Sequence, residues 1–125
     1  MAGRRSSALG PTEIYLLNQW GRALREGWGH TAYLVGSVVR DEPWRDVDVR
    51  LMLPDDRFDA VFGGVHAAGL TPTNVAYTVW GQRITGLPID FQFQSFTEGN
   101  ADPNGLAHLR RPLRVHAEPA PTGGA

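Results

Sequence analysis

Apolar positions along the chain follow two periods, about 3.6 residues and two residues, and the switches between them mark out the elements. From Pro11 the spacing is helical: Ile14, Leu17, Leu24 and Trp28 share a stripe, with Leu16 and Trp20 beside it. Glu13 lies in the first turn, where a negative charge suits the helix dipole, and Gly27 and Gly29 end the run. Residues 31–36 predict a short apolar strand. After a polar segment containing Pro43, residues 46–53 alternate with a period of two. On a strand this puts Asp46, Asp48 and Arg50 on one face and Val47, Val49 and Leu51 on the other.

Pro54 stops that strand, and Asp55 or Asp56 is expected to cap a second helix. Its stripe is Phe58, Val61, Phe62 and Val65, and Gly69 stands where a C-terminal cap is expected, although Gly63 and Gly64 interrupt the run. Val75, Tyr77 and Val79 alternate again and predict a strand, which Gly81 turns into a partner strand around residues 83–85. Pro88 precedes the last clear strand, residues 89–96. There Asp90, Gln92 and Gln94 share one face and Ile89, Phe91 and Phe93 the other. Residues 102–105 are turn-rich and residues 108–114 form a short basic segment, of which 110–114 reads as a solvated tail or as a contact for nucleic acid or an acidic partner. The expected organisation is a flexible arm (1–10), one domain (11–116) and a disordered Pro/Gly/Ala-rich tail (117–125). The fold expected is α/β: a small, mixed, twisted sheet with helices packed on one face.

Composition narrows the chemistry. All 12 basic residues are arginine, which excludes lysine-based catalysis and a lysine-dependent phosphate loop. The absence of cysteine excludes disulfides, thiol nucleophiles and cysteine-ligated zinc. The four histidines, His30, His66, His108 and His116, have no metal-ligand spacing. A formal net charge of -1 provides no global basic field for nucleic acid, though it leaves room for a local basic patch. No apolar run approaches membrane-spanning length and no secretory signal precedes the domain, so a cytoplasmic protein without a membrane partner is expected.

Three carboxylates, Asp46, Asp48 and Asp90, interrupt otherwise apolar strand patterns. Two share a face, and the third joins them if its strand lies alongside. Clustered carboxylates repel unless a cation neutralises them, and oxygen-only ligands suit Mg2+ or Mn2+. Gly36 and Ser37 follow the first strand directly. A glycine there lets the backbone approach a phosphate, a serine hydroxyl can bond to it, and Arg40 lies one turn on. Trp44 stands beside this segment and suits stacking on a base as well as packing.

Together, Leu34-Val35-Gly36-Ser37, then Asp46-Val47-Asp48-Val49 eight residues on, resemble the signature of the DNA polymerase beta nucleotidyltransferase superfamily, and of its small bacterial members in particular. Pro88-Ile89-Asp90-Phe91-Gln92-Phe93 resembles that superfamily's third-carboxylate strand. The resemblance implies that Gly36, Ser37 and Arg40 hold the triphosphate of a nucleoside triphosphate. It implies that Asp46 and Asp48 hold Mg2+ or Mn2+, and that Asp90 completes a metal site and helps activate an acceptor hydroxyl. The acceptor is a protein, an RNA end or a small molecule. Small members of the family often serve as the antitoxin of a toxin–antitoxin pair, and a protein partner or a homodimer would complete an open acceptor site. The alternative expectation is a non-catalytic nucleotide-binding or regulatory domain of the same fold.

Overall fold

The computed structural model describes residues 9–39, 45–63, 68–101 and 110–114. Helix α1 (Pro11–Trp28) begins where the pattern puts it. Pro11 takes the first helical position, where its missing N–H loses no bond, and Gly10 donates its backbone N–H to Glu13 Oε1 at 2.7 Å. Gly29, at φ 80°, closes the helix in the left-handed conformation. The buried stripe is Leu17, Trp20, Gly21 and Leu24, the i, i+3, i+4, i+7 face. Trp20, expected beside the stripe, is therefore at its centre, while Ile14 and Trp28 are half-buried at its margins.

Strands β1 (Ala32–Val35), β2 (Val47–Leu53) and β3 (Ile89–Ser95) match the three clear strand expectations. With β4 (Arg111–Pro112) they form a mixed sheet in the order β3-β2-β1-β4. β2 runs antiparallel to β1 and parallel to β3. The apolar positions of the alternation, Ala32, Leu34, Val47, Val49, Leu51, Ile89, Phe91 and Phe93, are all buried. Trp20 meets Phe91 edge-on at 5.8 Å and Phe62 meets Phe93 at 5.1 Å, so the helices cover this face. The chain is thus an α/β domain in which a four-stranded mixed sheet combines with four α-helices among the described residues. No described helix is long and apolar enough to cross a membrane.

Four expectations are corrected. Residues 75–85, read as two strands around a turn at Gly81, lie in helix α3 (Leu70–Thr85). The β-branched content of this stretch favours strands locally, but tertiary contacts decide otherwise. Asn74, Thr78 and Gln82 recur every fourth residue and bond to the free edge of β3. Phe93 N–H donates to Asn74 Oδ1 and Phe91 N–H to Thr78 Oγ1, both at 3.0 Å, and Gln82 Nε2 donates to Ile89 O at 3.1 Å. An edge strand with unpaired amides is thereby covered. Thr78→Val keeps the shape and removes the acceptor of the Phe91 N–H, so it is expected to lower stability by about 1–3 kcal/mol. A denaturant midpoint equal to the parent's would show that the edge is held by something else.

The second correction concerns α2 (Asp55–Phe62): it ends at Gly63, φ 69°, and Gly69 instead precedes α3. Phe58 and Phe62 are buried, Val61 is exposed, and Val65 lies outside the described residues. Third, neither Asp55 nor Asp56 is the cap, a position held by Pro54. The Asp55 carboxylate accepts from the backbone N–H and the hydroxyl of Thr97. The hydroxyl bond above all holds its pKa below the ordinary carboxylate value. Thr97 belongs to α4 (Phe96–Asn100), a short helix announced by a capping box that the strand reading overran: Ser95 Oγ accepts from Glu98 N–H at 3.0 Å. Fourth, residues 110–114 do not form a solvated tail: β4 within them pairs with β1, and Leu113 is buried against Gly21. The expected turn at 102–105 and the tail at 117–125 lie outside the described residues, as does most of the arm. Leu9, near the end of that arm, packs partly buried against the core.

Candidate functional site

The uncovered face of the sheet carries the polar half of each alternation: Asp48 and Arg50 from β2, and Asp90 and Gln92 from β3. Register sets the site. Val35 pairs with Asp48 across the antiparallel ladder, and Asp48 pairs with Asp90 across the parallel one. Residues paired on neighbouring strands stand about 4.8 Å apart, so these two carboxylates rise side by side. Asp46 is exposed immediately before β2.

Gly36 follows Val35 and so arrives beside Asp48. Its φ is 79°, and a Cβ there would stand 2.6 Å from Asp48 Oδ2. Both the left-handed backbone and the space require glycine. Gly36, Ser37 and Val38 form a single 3-10 turn. The Ser37 side chain has no hydrogen-bond partner among the described residues and is half-buried. Arg40 and Trp44 lie outside the described residues.

Burial raises the Asp48 pKa above the ordinary aspartate value; Arg50 opposes the shift, and the charges of Asp90 and Asp46 add to it. The charges of the other two aspartates thus both reach Asp48. Arg50 was placed on this face by the alternation but given no role. Its Nη2 lies 3.9 Å from Asp48 Oδ1, and its Nη1 donates to Asp90 O at 2.8 Å and to Val49 O at 3.0 Å. It ties the two aspartate strands together, and Asp-x-Asp-x-Arg was the signal for it.

The donor set fits a hard divalent cation: oxygen donors only, a partly desolvated carboxylate and a second carboxylate in register beside it. Among the described residues, no three histidine, aspartate or glutamate side chains already converge on a common metal position. The Asp48–Asp90 pair is therefore the part of the donor set that the sheet itself organises. His30 stands at the opposite end of β1, and the other three histidines lie outside the described residues.

No protein-family model, curated protein or solved structure matches the chain.

Proposed function

We propose that the chain is a metal-dependent nucleotidyltransferase, moving a nucleoside monophosphate from a nucleoside triphosphate to an acceptor hydroxyl with release of pyrophosphate. The observation that carries this reading is the in-register pairing of Asp48 with Asp90 directly beside Gly36. It supports the resemblance to the DNA polymerase beta superfamily, whose signature joins the same three elements.

In this reading Gly36 and Ser37 receive the triphosphate through the backbone and the hydroxyl. Asp46 and Asp48, with Asp90, hold Mg2+ or Mn2+, which when bound neutralises phosphate charge and stabilises the charge that develops during transfer. Asp90 accepts the proton of the acceptor hydroxyl as its oxygen bonds to the α-phosphorus and the bond to pyrophosphate breaks. Arg50 keeps the Asp48 and Asp90 strands in register. Arg40 keeps its proposed part in holding the phosphates. The acceptor is a protein, an RNA end or a small molecule, and a protein partner or a second copy would complete its site.

One observation favours a second reading, a domain that binds nucleotide without transferring it: the Arg50 guanidinium already lies against Asp48 and offsets part of its charge. Pyrophosphate release separates the two. Each of the four ribonucleoside triphosphates would be supplied with Mg2+ or Mn2+ in a cell lysate providing acceptors. Release that disappears in the Asp46→Ala, Asp48→Ala double variant is the expected result. Metal-dependent nucleotide binding with no release above that variant would overturn the transferase and leave the binding domain.

A further inference from the structure

The open face of the sheet carries a second cluster at its far end. Tyr33 pairs with Arg50 and so stands on the carboxylate face. Met52, on the same face, is four residues along β2 from Asp48, about 13 Å at roughly 3.3 Å per residue. Between the end of α1, β1 and α4 a pocket of about 390 Å³ opens there, within the usual range for small-ligand sites, about 300–1,000 Å³. Arg25, His30, Tyr33, Met52, Phe96 and Arg110 supply most of its lining, and no described carboxylate does.

Three features give the pocket its chemistry. Arg25 is exposed, and its hydrogen-bond partner is the neutral Thr31 Oγ1 at 2.7 Å, so no described carboxylate offsets its charge. Phe96 leaves 40% of its surface exposed although it is a large apolar ring, and His30 stands edge-on to it at 5.8 Å and 88°. Arg110 is held in place: its Nη2 donates to Asn100 Oδ1 at 2.8 Å, and its guanidinium lies 5.6 Å over the Tyr33 ring. Guanidinium groups bind phosphate oxygens in a planar fork, and exposed aromatic rings stack on bases.

We propose that this pocket is a nucleoside-phosphate site separate from the carboxylates, with the base stacked on Phe96 and the phosphate between Arg25 and Arg110. A free mononucleotide and the terminal unit of a single-stranded nucleic acid offer the same chemistry. The site stands without the transferase reading, because binding here uses none of Asp46, Asp48 and Asp90.

The test is equilibrium binding to the full chain in a metal chelator, which removes any contribution from a metal-held nucleotide. The probes are AMP, adenosine, inorganic phosphate, a labelled single-stranded oligoadenylate and a polyglutamate peptide. AMP or the oligonucleotide is expected to bind, with adenosine and phosphate each at least about tenfold weaker. Phe96→Leu and Arg25→Ala, both at exposed positions, are each expected to weaken binding about tenfold with unchanged thermal melts. Asp46→Asn, Asp48→Asn is expected to bind as the parent does, which separates failure here from failure of the transferase. An oligonucleotide bound much more tightly than AMP identifies a nucleic-acid end as the source, and equal affinity identifies the free mononucleotide. No binding, binding insensitive to Phe96→Leu and Arg25→Ala, or equal binding of phosphate or polyglutamate would overturn the proposal.

Discussion

Asp48→Asn is expected to abolish transfer while making the fold more stable. The activity loss follows from the proposed role: removing a metal-holding carboxylate forfeits several kcal/mol of transition-state stabilisation, about 10³-fold or more in rate. The stability gain follows from the Asp48 pKa, which burial raises above its ordinary value despite the opposing Arg50 charge. A carboxyl whose folded pKa exceeds its unfolded pKa favours the folded state while protonated. That advantage is lost as pH rises from the unfolded value through the folded one. At neutral pH the ionised carboxylate is therefore a burden that asparagine removes. The gain should be of the order of 1 kcal/mol, a few degrees in Tm. It should shrink as pH falls through the raised folded value towards the ordinary one, because the parent's own carboxyl becomes protonated there. Melts of parent and variant at neutral and acid pH check this. A variant no more stable than the parent at neutral pH would show that the Arg50 contact and nearby solvent fully offset the burial. A rise in stability with loss of activity is the expected signature of a residue kept for chemistry.

The largest loss of stability is expected at the contact between α1 and α3. Trp20 is 1% exposed and lies edge-on to both Trp80 and Phe91, at 6.0 Å and 5.8 Å. Gly81 makes room for it: a Cβ on Gly81 would meet the Trp20 ring at 2.5–2.8 Å. Trp20→Ala is expected to cost about 3–5 kcal/mol, a large share of the roughly 5–15 kcal/mol that holds a domain together. Gly81→Ala is expected to be destabilising as well. Its clash costs about 1–3 kcal/mol and outweighs the helix propensity gained, about 1 kcal/mol. The two changes should be non-additive, because removing the indole removes the obstacle. Denaturant unfolding of the two single variants and the double variant measures the coupling. Simple additivity would show that Gly81 serves some other purpose.

The same pair shows why part of the fold was illegible in the sequence. A glycine after an alternating stretch reads as a turn, because nothing local reveals the ring it must clear. Residues 70–85 form a helix because three of their polar side chains satisfy the edge of β3 and their apolar ones meet Trp20 and Phe91. Both reasons are long-range contacts that override a weak local preference. Strand β4 was hidden for a related cause: two residues, one of them proline, carry no period, and Leu113 is fixed by its place against Gly21. Helix α4, by contrast, was written in the Ser95–Glu98 capping box.

What the sequence determined by itself was which residues share a face. Alternation at 47–53 and 89–95 fixes Asp48, Arg50 and Asp90 opposite a fully apolar face, because strand geometry allows no other arrangement once that face is buried. It also determined the positions of α1 and of the Gly36-Ser37 turn. Only the tertiary structure decided that β3 runs parallel to β2 in the register that sets Asp90 beside Asp48. A parallel neighbour is joined through a distant crossover, so its register comes from packing α3 beneath the sheet and not from a local turn. The tertiary structure likewise brought Arg25, Tyr33, Phe96 and Arg110 to one pocket, since nothing local links positions so far apart in the chain.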